Sequence, residues 1–218
     1  MSNIFRHVDD LTGIHIARHG KLNAMAVQLN DGTLCIYSPI AGLARAARDD
    51  LQETGDISVL LAPNHYHNKG LKEHVDHFAG AALVCSEAAA PRLAKVTGLG
   101  FSDIRSVAKM FPDGVRIFEP AGLKTGEVWL QIIQGDHVVW IVTDAFSAPL
   151  LPVGQYADAP TLLGTFPKYG LQDGKAFKSW VAKQVSIRAP TILLPCHGSP
   201  VRGPNLGGAL QELLAERL

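Results

Sequence analysis

The chain has 218 residues, enough for one large core or for two similar halves that share one. With 20 basic and 20 acidic side chains it carries no formal net charge, which excludes the basic surface of a nucleic-acid-binding protein and a basic membrane-binding face. No run approaches the roughly 18 apolar residues of a spanning helix. The polar start, Met1 to Asp10, lacks an apolar signal core, so a cytoplasmic protein without nucleic-acid or membrane partners is expected. Cys35, Cys85 and Cys196 are widely spaced and odd in number, which fits reduced thiols, the first two as small buried hydrophobes.

Residues 14 to 40 read as antiparallel strands. Met25 to Leu29 leads into Asn30-Asp31-Gly32, and Thr33 to Tyr37 returns; Asp-Gly between two strand-like runs is a strong hairpin signal, because Gly accepts positive φ. A helix is predicted over Ala41 to Gln52 with Leu43, Ala47 and Leu51 on one face. Gly55-Asp56 then releases the strand Ile57 to Leu61. Leu71 to Phe78 reads as a helix and Ala82 to Cys85 as a strand. An alanine-rich helix follows from about Ser86, its start blurred by Pro91.

The second half repeats this grammar. Val115 to Phe118 and Val128 to Ile133 are strand-like, Gln134-Gly135-Asp136 is a turn, and His137 to Thr143 is a strongly apolar strand. Ala148 to Tyr169 is a Pro/Gly-rich connection without clear periodicity, long enough to cover a site with Phe166 and Tyr169. A helix over Lys175 to Gln184 groups Phe177, Trp180 and Val181. Thr191 to Pro195 is a buried-type strand, and Leu206, Leu210, Leu213 and Leu214 line a terminal amphipathic helix. The alternation alone also fits a doubly wound parallel sheet, but the hairpins favour mixed sheets. No G-x-G-x-x-G turn follows the first strand and no P-loop occurs, so a nucleotide site is weakly supported.

Three apolar strands end on metal-capable groups. His65 and His67, in Asn64-His65-Tyr66-His67-Asn68, follow Ile57 to Leu61, and at i and i+2 on a strand end they would point the same way. Asp144 follows Val138 to Thr143, and His197 follows Ile192 to Cys196. Loops at strand ends in layered α/β folds converge on one edge, where three imidazoles and a carboxylate suffice for a single metal ion. His74 and His77, with Asp76, would add ligands only if they faced the site. Leu71, Val75 and Phe78 define the buried stripe of that helix, which leaves both histidines on a solvated flank. Cys196 beside His197 suggests a thiol nucleophile, but neighbours on a strand point to opposite faces and make no dyad.

These landmarks, in this order, resemble the metallo-β-lactamase superfamily over nearly the whole chain. Ile36-Tyr37-Ser38-Pro39 stands where the family has a strand ending in Asp, and Asn64 to Gly70 stands where it has T-H-x-H-x-D-H. Phe78 to Leu93 resembles the following strand and helix. Val142-Thr143-Asp144-Ala145 resembles the stretch with the metal-bridging aspartate, and Leu194 to Val201 the late P-x-H-G element. The resemblance implies an α/β, four-layer αββα sandwich, a single domain over 1–218 with pseudo-repeat halves of about 1–114 and 115–218. The chain departs from the family where Lys69 replaces the second-metal aspartate and Gly70 the second-metal histidine. Leu123 replaces the middle histidine in Gly122-Leu123-Lys124-Thr125-Gly126-Glu127.

The resemblance therefore implies a metal-dependent hydrolase holding at most one metal ion, zinc or iron. The ligand set is His65, His67, Asp144 and His197, with Tyr66 on the pocket rim. Asp144, His197 and Lys69 are the catalytic candidates, and the substrate is a small ester, thioester, lactone or phosphoester. The competing expectation is a catalytically silent scaffold that binds no metal, in which the Lys69 ammonium replaces the missing cation beside Asp144. Lys69 turned to solvent stays equally open at this point. A redox or regulatory iron centre is the weakest expectation, since nothing else in the chain supports electron transfer.

Overall fold

A computed structural model describes residues 3–218. It divides the chain into two compact units, one ending at Asp113 and the other beginning at Gly114, each built on its own sheet. Among the described residues no helix is long and apolar enough to cross a membrane.

The first unit is a seven-stranded sheet in the order β1 (Arg6–His7), β2 (Ile14–His19), β3 (Leu22–Gln28), β4 (Leu34–Tyr37), β5 (Ile57–Leu61), β6 (Ala82–Cys85) and β7 (Ser102–Asp103). The Asp-Gly hairpin joins β3 to β4 with Gln28 opposite Leu34 and Met25 opposite Tyr37; Gly32 takes a φ of 83° at the turn. From β4 onward the pairing is parallel, so helices must carry the chain back. These are α1 (Ala44–Leu51), α2 (Leu71–His77) and α3 (Ala90–Thr97). Helix α1 buries Ala44, Ala47 and Leu51 and is three residues shorter at its start than the periodicity suggests. Pro91 sits in the first turn of α3, where its missing N–H has no intrahelical partner to lose, which explains why that helix starts later than Ser86.

Parallel register fixes where the loops emerge. Tyr37 pairs with Leu61 and Leu61 with Val84, so the residues after β4, β5 and β6 leave one edge of the sheet. Ligand sites in α/β sheets gather at the carboxyl ends of parallel strands. Ser38, the Asn64–Asn68 pentapeptide and Ser86 all lie on that edge.

The second unit is a five-stranded sheet in the order β14 (Val201–Arg202), β13 (Ile192–Pro195), β10 (His137–Val142), β9 (Trp129–Gln134) and β8 (Val115–Phe118). Only β10 and β13 run parallel. The connection from Ala148 to Tyr169 is less irregular than its composition suggests. A two-stranded ribbon pairs β11 (Phe146–Ser147) with β12 (Thr161–Leu162), and a short helix α4 (Phe166–Tyr169) closes it. Helices α5 (Gly174–Ile187) and α6 (Leu206–Arg217) complete the unit.

An aromatic cluster anchors this core. Trp129 lies 5.9 Å from Trp140, 5.6 Å from Phe146 and 6.0 Å from Phe177, ring centre to ring centre. Phe177 and Val181 of α5 and Leu206, Leu210 and Leu214 of α6 pack into the same core. Each such side chain contributes roughly 1.5–3 kcal/mol of burial.

Candidate functional site

In the first unit the histidine pentapeptide is not an extended strand end, so its two imidazoles do not align by strand alternation. Asn64 is fully buried, and its Oδ1 accepts hydrogen bonds from the backbone of Tyr66 (2.8 Å) and His67 (3.1 Å). This Asx turn bends the chain at the end of β5. Asn68 closes the loop by donating from Nδ2 to the His65 carbonyl at 3.1 Å. His65 is half-buried, with its ring edge-on to Tyr66 at 4.3 Å between centres. The Tyr66 ring is exposed and carries the Arg92 guanidinium 4.9 Å from its centre.

His67 is held differently. Its Nδ1 lies 2.8 Å from Ser38 Oγ at the end of β4. Ser38 is fully buried and holds a φ of 61°, in the left-handed region that a serine adopts at a cost of roughly 1–2 kcal/mol. When Nδ1–H donates to the serine, Nε2 carries the lone pair of the ring. Sequence reasoning placed Ser38 at a family landmark but gave it no role.

In the second unit, strand register brings Asp144 and His197 together. Val142 pairs with Pro195 at the end of parallel β10 and β13, and each functional residue lies two positions beyond its strand end. His197 Nε2 is 2.9 Å from Asp144 Oδ1, with Asp144 only 9% exposed. Gly198, at a φ of 87°, fixes the turn after the histidine: a Cβ there would lie 1.9 Å from the Ala148 carbonyl oxygen. The Ala148 amide in turn donates to the His197 carbonyl at 3.3 Å. Cys196 is buried, in keeping with its opposite-facing place next to His197.

A third member of this row was missed in the sequence. Leu130 faces Ile141 in the antiparallel β9–β10 pair, and continuing that register by three pairs brings Glu127 opposite Asp144. Glu127 is 2% exposed, and its Oε2 accepts from Trp129 Nε1 at 2.8 Å. Burial first, and then the Asp144 charge, push its carboxyl up to about 8, against the lowering pull of Trp129 and the Asp144 and Ala145 amides. The signal was available: counting outward from the Gly135-Asp136 turn places the two acids side by side.

Compared with solved structures, the chain is similar to a metallo-β-lactamase from Pontibacter korlensis, with a TM-score of 0.65 and 16% identity over 98% of this chain and 100% of that one. It is similar to one from Hirschia baltica, at 0.66 and 16% over 96% and 97% of the two chains. It is also similar to one from Erythrobacter litoralis, at 0.66 and 14% over 99% and 98%. The chain has the metallo-β-lactamase fold. The fold class expected from the sequence is therefore the one found, and at these identities the likeness is one of fold. No family model matches the sequence, and no curated protein does.

Positions 69 and 70 are where the sequence resemblance implied a departure from second-metal ligands. Gly70 is required by packing: a Cβ there would come within 2.5 Å of the Ala41 nitrogen, the Ile40 carbonyl carbon and the Pro39 oxygen. No side chain fits at this position unless residues 39–41 move. Lys69 is exposed at the loop between β5 and α2.

The flanking histidines correct the sequence reading. His77 is exposed as expected, but His74 is 0% exposed. Its Nδ1 lies 2.9 Å from the Gly70 carbonyl and its Nε2 is buried without a partner. Burial, countered by that hydrogen bond and by Glu73, lowers its pKa. The Leu71–Val75–Phe78 stripe includes His74, which is half hydrocarbon and packs as such against Phe78 at 6.1 Å between ring centres.

Proposed function

We propose, on the ligand set that the sequence resemblance implies, that the protein is a metal-dependent hydrolase holding one divalent ion, with His67, Asp144 and His197 among its donors. Two imidazoles and a carboxylate suit zinc and iron alike. The observation that carries this reading is the pair in the second unit: Asp144, 9% exposed, lies 2.9 Å from His197 Nε2 through its Oδ1. A buried carboxylate beside an imidazole offers the oxygen and nitrogen donors that zinc and iron take, so the residues fit the group.

When bound, the ion acts as a Lewis acid on a carbonyl or phosphoryl oxygen of an ester, thioester, lactone or phosphoester. The chain's own part is orientation. Ser38 engages His67 at Nδ1, and the β10–β13 register with the Gly198 turn sets Asp144 beside His197. Asn64 shapes the loop that carries His67 and Lys69. His65, packed against Tyr66, belongs to the wall of this loop in the proposal, and Lys69 is its free cation toward substrate.

Elemental analysis and chelator competition on the purified full-length chain test the reading. The expected result is about one equivalent of metal, lost in a His67→Ala, His197→Ala variant, with metal raising the melting temperature. No uptake from excess zinc, iron or manganese at neutral pH would sink it. The result would leave the silent scaffold, with Lys69 serving in place of a metal.

A further inference from the structure

Two further imidazoles meet at the outer edge of the first unit. The chain arrives there under control. Asp50 Oδ2 of α1 accepts the Ile4 and Phe5 amides at 2.6 and 2.9 Å, and Phe5 is 2% exposed in the core. Strand β1 then pairs with β2 so that His7 stands directly opposite His15. The Val8 amide donates to the Ile14 carbonyl at 2.9 Å. The neighbouring His7–His15 pair is therefore a non-hydrogen-bonded one, where facing side chains approach most closely. The two rings meet edge-on with their centres 5.5 Å apart. With metal–nitrogen bonds of about 2.0–2.1 Å, two imidazoles on one tetrahedral ion have ring centres roughly 5 Å apart, so the pair stands at chelating distance.

The ring nitrogens suit the task. His7 is exposed and His15 half-buried, and His15 Nδ1 is buried without a hydrogen-bond partner among the described residues. On its other side His15 faces Ala26 of β3, whose side chain offers it no polar group. Burial first, and then His7, lowers the His15 pKa, which keeps the ring neutral and able to ligate at neutral pH. A packing role alone leaves that nitrogen unsatisfied at a cost, which a bound ion removes.

We propose that His7 and His15 form a cross-strand site for a borderline divalent ion of the zinc, copper and nickel group, with water in the remaining positions. The site joins the edge strand β1 to β2 and stands independently of the hydrolase reading. With only two protein ligands it exchanges its ion readily, so it fills in a titration and empties on desalting.

The test is a zinc titration of the full-length chain followed by proton–nitrogen correlation spectra of the histidine rings. A His67→Ala, His197→Ala background keeps the proposed hydrolase centre out of the readout. The His7 and His15 ring nitrogens are expected to shift together at one zinc equivalent while the exposed His77 stays in place. Adding His7→Ala forfeits the chelate: the zinc midpoint of His15 should rise about 100-fold, and a rise of less than about ten-fold would overturn the inference. Rings of His7 and His15 that do not shift would overturn it too, and both outcomes leave the hydrolase reading in place. Should the background variant fail to fold, the parent chain carries the same experiment, because each ring is read separately.

Discussion

Ser38 Oγ and His67 Nδ1 lie 2.8 Å apart, joining the end of β4 to the loop after β5. The serine that makes this bond has a backbone φ of 61°, which an L residue holds at a cost. Backbone strain that orients an imidazole is consistent with a site in which ring orientation matters. Ser38→Ala is expected to weaken metal binding by about 10-fold, from lost control of the His67 ring. Ser38→Gly should lose affinity equally while relieving roughly 1 kcal/mol of left-handed strain. Chelator competition together with urea unfolding of both variants checks the pair. Equal affinity in parent and Ser38→Ala would show that the hydrogen bond does not orient a ligand.

Restoring the family's residues should not restore a second metal. In a Lys69→Asp, Gly70→His double variant the new Cβ at position 70 meets the backbone of residues 39–41 at 2.5 Å. Backbone cannot yield as a flexible side chain can, so a loss of about 1–3 kcal/mol or more is expected. Metal stoichiometry should stay at or below that of the parent. Thermal unfolding and elemental analysis measure the two effects, and a stable variant with two equivalents of zinc would contradict the packing argument.

How much of this was legible in the sequence depends on which physical rule placed each residue. Asp144 and His197 were readable because both end apolar strands that run parallel, and parallel register delivers like positions to one edge. His65 and His67 were readable as an edge but not as a geometry. Strand alternation was assumed where Asn64 instead bends the chain with its own side chain. Glu127 was missed because residue type was inspected only at strand ends, while its neighbour is set by an antiparallel register counted back from a turn. His74 was missed because a histidine was scored as polar, although its position falls within the helix's buried stripe. Gly70 was read as a lost ligand, and the close approach of backbone from residues 39–41 that demands a glycine there is not written in local sequence.

His74 gives an acid-side prediction. Burial depresses its folded pKa below the ordinary 6.5 of a histidine, so the neutral ring is the one the fold accepts. The stability it contributes is present above about pH 6.5 and is lost as pH falls from there through the lowered folded value. His74→Gln, which removes the titrating group, should flatten that limb. The exposed His77→Gln serves as the control and should leave it unchanged. Urea unfolding between pH 5 and 7 is the measurement, and identical slopes in parent and His74→Gln would refute the assignment.

Glu127 gives the opposite sign. Its carboxyl is pushed from 4.5 up to about 8 by burial and by Asp144, so the fold prefers it protonated. In the metal-depleted protein its contribution is fully present below about pH 4.5 and is lost as pH rises through about 8. The loss is on the order of a few kcal/mol, each pKa unit being worth about 1.4 kcal/mol. Glu127→Gln should remove this dependence and make the metal-free protein more stable than the parent at pH 8. Urea midpoints of parent and variant at pH 5 and pH 8 are the measurement, and a parent that keeps the same standing against Glu127→Gln at both values would refute the assignment.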